Sequence, residues 1–144
     1  MKTMLIYVAD DGKKFNSQPE CEEYEKLIDR VNNIMIGFKP NKNEEGYYIA
    51  VQQDKDIVNK AYDEFLKLCE EVFEKHGYGE LFQKAREKTI HPSHLSYTLS
   101  DWSNKYPVIW ATYCRFENIS LESGIEYTQP YYATHEKEYL WEIH

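Results

Sequence analysis

Residues 54–77 read DKDIVNKAYDEFLKLCEEVFEKHG, and this stretch decides the fold. Advancing 100° per residue, Ile57, Val58, Ala61, Tyr62, Phe65, Leu66, Leu68, Cys69, Val72 and Phe73 fill roughly half of a helix circumference. Asp56, Lys60, Asp63, Glu64, Lys67, Glu70, Glu71 and Glu74 fill the other half. Asp54 is placed to cap the start, and His76-Gly77 to end the helix, with glycine supplying a left-handed residue. An apolar arc this wide has to be covered, which predicts a second helix and a sheet packed against it.

Upstream, residues 2–9 (KTMLIYVA) read as a strand, and Asp11-Gly12 as a turn. Ser17 and Glu20 match a capping box, with Pro19 tolerated in the first helical turn. A helix over about 19–33 then carries Cys21, Tyr24, Leu27, Ile28 and Val31 on one side. Its 3,4 spacing can continue to Phe38, or residues 34–38 can form a strand. Residues 47–52 (YYIAVQ) read as a short strand leading into the central helix.

The segment YVADDGKKFNSQPECEEYE resembles the opening of short accessory proteins encoded by phages and prophages of low-GC Gram-positive bacteria. In those, a strand leads to a DGxxF turn and a helix beginning ECxxYE. The matching residues are Tyr7, Asp11, Gly12, Phe15, Glu20, Cys21, Tyr24 and Glu25, and they cover about 25 residues. The resemblance implies a context, a mobile element in a bacterial cell, and no particular activity. The residues themselves have structural roles: Gly12 turns the chain, Phe15 staples the helix entry, and Cys21 and Tyr24 face the core.

Downstream, residues 78–88 (YGELFQKAREK) predict a short helix with Leu81, Phe82 and Ala85 inward. Leu95, Leu99 and Trp102 suggest a further helical turn or two. From Tyr106 the pattern alternates: Val108, Trp110, Thr112, Cys114 and Phe116 interleave with Ile109, Ala111, Tyr113 and Arg115, which predicts a strand. Glu122-Ser-Gly124 reads as a turn and 125–132 as the return strand, giving an aromatic-rich β-hairpin. Residues 138–144 read either as a third strand or as a final short helix. The expected architecture is a single α+β domain over 1–144. Two main helices, about 19–33 and 54–76, pack on a small, mostly antiparallel sheet.

Composition narrows the function classes. The 144 residues carry 25 acidic and 17 basic side chains, a net charge of −8, with no clustered Lys/Arg run to track a phosphate backbone. Direct nucleic-acid binding is therefore not expected, whereas a partner with a basic surface is. No apolar run is long enough to span a bilayer. The opening MKTMLIYVADDG turns acidic too soon for a signal peptide, so the cytoplasm of a host bacterium is the expected location. Cys21, Cys69 and Cys114 are dispersed in apolar stretches, which fits buried thiols better than disulfides or a zinc site.

Catalytic patterns are missing. His91 and His94 lack a carboxylate or thiol at metal-ligand spacing beside them. His94-Leu-Ser96 has no second His-x-Ser/Thr copy to complete a phosphoesterase pair. The nucleophile elbow, the Walker loop and the dinucleotide fingerprint are all absent from the sequence. No catalytic residue, metal ligand set or cofactor is assigned. The helix carboxylates sit four residues from lysines, as Asp63 does from Lys67, which describes a solvated face.

The anomaly is aromatic. Residues 97–141 hold all three tryptophans, seven of thirteen tyrosines and Phe116. Tyr and Trp are favoured where a surface meets a partner. Trp102, Tyr113, Tyr127, Tyr131 and Tyr132, together with Arg115, form the candidate binding surface. Core packing remains the competing reading of the rings. Arg115 reads either as a ligand for phosphate or, through Glu126, as a structural salt bridge. These features suggest a non-enzymatic inhibitor of a host defence complex. The alternative is a protein that sequesters a small nucleotide, and a homo-oligomer would satisfy the same composition.

Overall fold

The computed structural model describes residues 5–39, 49–90 and 92–128. Among them the chain forms a small α+β domain of five helices and two separate two-stranded antiparallel sheets. β1 (Tyr7–Val8) pairs with β2 (Lys14–Phe15), and β3 (Ile49–Gln52) pairs with β4 (Ile125–Thr128). The helices are α1 (Gln18–Ile34), α2 (Lys55–Phe73), α3 (Gly79–Arg86), α4 (Pro92–Asp101) and α5 (Pro107–Glu117).

α2 is the central element. The Asp54 carboxylate accepts from the amides of Asp56 and Ile57, closing the first turn. Val58, Ala61, Phe65, Leu66, Leu68, Cys69 and Phe73 are buried along one arc. A 3₁₀ turn (Glu74–His76) follows, and Gly77 at φ +84° ends it. α3 packs chiefly on α2, with Phe82 fully buried against Phe73 at 5.3 Å between ring centroids. α1 covers another flank through Tyr24, Leu27, Ile28 and Val31. Met35 and Phe38 continue that buried line through a turn rather than a strand or further helix. Ser17 stands at the N-cap of α1, but its side chain makes no capping hydrogen bond.

The resemblance residues form a clasp. Phe15 and Tyr24 rings lie 5.4 Å apart. The Tyr24 hydroxyl donates to the buried Asp11 carboxylate and accepts from the Val108 amide at 3.2 Å. An amide at the start of α5, which helix geometry leaves without a partner, is thus satisfied by a hydroxyl polarised toward an anion.

The strand expected at 106–116 is a helix. Pro107 occupies N1, where its missing N–H costs nothing, and Thr112 Oγ1 donates to the Val108 carbonyl at 2.7 Å. Pro107, Val108, Ile109, Thr112, Tyr113, Arg115 and Phe116 are all buried. A helix buried on so many sides has apolar residues at nearly every position, and an alternating pattern can be picked out of it. The β-branched and aromatic composition favours a strand by propensity alone, but packing overrides that preference. The hairpin expected between 106–116 and 125–132 therefore does not form. β4 pairs with β3 instead, and Ile119, just after α5, bridges to Glu126 on its other side. Gly124 makes the turn possible: at φ +78° a Cβ would stand 2.5 Å from the Gln53 carbonyl oxygen. The expected segments 129–132 and 138–144 lie outside the described residues.

Candidate functional site

The sequence-chosen residues separate when placed in the fold. Tyr113 is 3% exposed and Arg115 4% exposed, so both belong to the interior and neither presents a surface. Trp102 is half-buried, its ring 5.4 Å from Phe73 and 4.7 Å from His76. Tyr127, on β4, is 64% exposed. Tyr131 and Tyr132 lie outside the described residues.

Arg115 is the centre of a buried polar network. Its Nε donates to Glu126 Oε2 at 2.9 Å, and a terminal nitrogen donates to Oε1 at 3.2 Å and to the Lys39 carbonyl at 3.0 Å. Gln53 Nε2 donates to Glu126 Oε1 at 3.0 Å and to the same Lys39 carbonyl at 2.9 Å. Gln53 Oε1 accepts from the Lys39 amide at 2.7 Å. The Phe38 ring covers the guanidinium, 5.2 Å away. The two ionised groups are 2% and 1% exposed and hold α5, β4 and the end of β3 together. The salt-bridge reading of Arg115 is the one realised, although Arg115 reaches Glu126 from a helix.

None of the three thiols is shifted toward the reactive thiolate. Burial pushes the Cys69 thiol well above its ordinary value. Burial and the nearby Glu117 carboxylate push Cys114 up to about 11. Cys21 is also raised, by burial first and then by Glu25 and other carboxylates. Activated cysteines show the opposite shift. Among the described residues no three His, Cys, Asp or Glu side chains are placed to hold a metal ion. His94 is exposed on α4, and His91 lies outside the described residues.

What the sequence did not suggest is a groove of about 830 Å³. Its walls come from the β1–β2 hairpin, α1, the end of α2 with its 3₁₀ turn, and the α4–α5 connection. Six cations line it: Lys13, Lys14, Lys26, Arg30, Lys75 and Lys105. They face three carboxylates, Glu20, Glu23 and Glu71, and the rings of Phe15, Tyr24 and Tyr106. Arg30 bonds Glu71 at 2.8 Å in a pair whose side chains are 52% and 62% exposed. Lys105 Nζ sits 4.8 Å from the Trp102 ring centre. His76 lies on the same wall. Burial, then Lys105, then Lys75 lower its pKa. Only Lys13-Lys14 are neighbours in the chain, and the other cations are scattered as far as residue 105. Their scatter leaves no sequence signal beyond the DGKK turn.

No family model matches the chain, and no curated protein or solved structure does either. Function is therefore argued from the chain's own residues.

Proposed function

We propose that this chain is a small non-enzymatic binding protein of a phage or prophage, which inhibits a host complex by covering a basic surface of it. The observation that carries the reading is the separation of charge. The groove takes six cations and three carboxylates from totals of 17 and 25, leaving 11 basic and 22 acidic residues elsewhere. A body so acidic is attracted to surfaces that ordinarily hold nucleic acid, and repels nucleic acid itself. Exposed Tyr127 and Tyr97, 64% and 73% accessible, offer apolar area within it. No helix among the described residues is long and apolar enough to cross a membrane. A nucleotide-sequestering pocket built on Arg115 and Tyr113 loses support, because both are consumed by the interior.

The test is capture of a partner from host lysate at physiological salt, followed by competition between this chain and the partner's nucleic acid. Displacement is expected. Replacing the exposed Asp56 and Glu64 of α2 with lysine should slow association by about tenfold, and Tyr127→Ala should weaken the complex by about tenfold. A partner that keeps its nucleic acid while bound, or no partner at all, overturns the reading.

A further inference from the structure

We propose that the cationic groove is a binding site for a small phosphorylated ligand carrying an aromatic base, that is, a nucleotide. This inference does not rest on the occlusion reading, since it concerns a different face and needs no host protein.

Positive charge is concentrated in the groove. Fifteen lining residues, about a tenth of the chain, hold six of its 17 basic side chains. Among the described residues Lys13, Lys14, Lys26 and Lys75 have no carboxylate within ion-pair distance. Like charges gathered on one concave wall repel one another, and an anion placed between them relieves that repulsion. The Arg30–Glu71 pair is exposed enough to exchange its carboxylate for a phosphate oxygen.

The lining also carries aromatic rings. Phe15 and Tyr106 are half-buried and come from the hairpin and the α4–α5 connection, with Tyr24 beneath. Aromatic faces beside lysines supply base stacking and phosphate contact within one recess. Its 830 Å³ lies within the range of small-ligand pockets.

The surrounding charge disfavours an extended polyanion. Glu22 and Glu25 of α1 and Glu74 flank the groove in sequence, and the rest of the chain is strongly acidic. A nucleic-acid strand would leave the groove into repulsion, whereas a mononucleotide stays inside the local positive field. Lys14, Lys26 and Lys75 also have no structural task that explains them: they are exposed and pack no core.

Calorimetry on the full chain with each of the four ribonucleoside triphosphates, inorganic pyrophosphate, adenosine and a poly-glutamate peptide tests this. At least one triphosphate is expected to bind one-to-one. Pyrophosphate should bind about tenfold more weakly, with adenosine weaker still. Lys14→Glu with Lys75→Glu should lower triphosphate affinity at least about tenfold while leaving the thermal melt unchanged. Lys14→Arg with Lys75→Arg should preserve it. Four silent triphosphates overturn the proposal, as does affinity indifferent to the charge reversals. Adenosine or pyrophosphate equal to the best triphosphate overturns the nucleotide assignment. Poly-glutamate binding as tightly would assign the groove to an acidic protein segment.

Discussion

Two polar clusters in this molecule, one around Arg115 and one in the groove, treat their cations in opposite ways. Arg115 is sealed inside and bonded to Glu126 and the Lys39 carbonyl, acceptors that Gln53 also bonds. The groove lysines line an open concavity, and five of the six cations have no carboxylate partner among the described residues. A buried guanidinium must be satisfied by the protein, because desolvation leaves no alternative. A surface ammonium is satisfied by water and stays available to a ligand. Neutralised charge inside therefore reports on architecture, whereas unneutralised charge in a concavity is left open to water or an anion.

The largest expected effect comes from breaking the buried cluster. Arg115→Met leaves the Glu126 carboxylate without its guanidinium in the interior, and urea unfolding should show a loss of about 3–5 kcal/mol. The groove reversals Lys14→Glu and Lys75→Glu, measured the same way, should change stability by less than about 0.5 kcal/mol each. Equal effects at the two places would erase the distinction.

A smaller loss is expected at the clasp between them. Tyr24→Phe keeps the ring beside Phe15 but removes the hydroxyl shared by Asp11 and the Val108 amide. Two buried polar groups lose a partner, at a cost of about 1–3 kcal/mol. Amide exchange at Val108 should accelerate with it. A neutral substitution would mean that water replaces the hydroxyl freely.

The smallest effect is electrostatic and sits on the groove wall. His76 in the folded chain has a pKa below its ordinary 6.5, so the unfolded chain binds more protons in the interval beneath 6.5. Its contribution is thus fully present above about 6.5 and declines as pH falls toward the folded value. The difference in melting temperature between the native chain and His76→Phe should shift in that window. Lys105→Gln should move the His76 titration upward in proton NMR, because one of the repelling charges is gone. An unmoved titration would place Lys105 away from the imidazole.

Much of the fold was legible in the residues. α2 emerged with its Asp54 cap and left-handed Gly77, and α1 lies within one residue of its expected bounds. Local rules suffice there, because each apolar arc is interrupted by charge and ends on a cap. The Arg115–Glu126 pair was one of two readings of Arg115, but it was expected across a hairpin, whereas Arg115 reaches Glu126 from α5. The candidate surface was less legible. Tyr113 and Tyr127 look alike as letters, yet one is 3% and the other 64% exposed.

By itself the sequence determined the two long helices, the α+β class, the acidic balance and the turn chemistry at Asp11-Gly12 and Gly124. Those follow from periodicity, composition and backbone sterics, all of which act over a few residues. Only the tertiary structure decided that 107–117 is helical, that β4 joins β3, and that six distant cations share one groove. Each of these depends on contacts between residues far apart in the chain. Tyr24 meets the start of α5 across 84 positions, and Lys13 shares a wall with Lys105. Long-range packing energy, absent from any local window, chose among conformations that the local pattern left nearly equal.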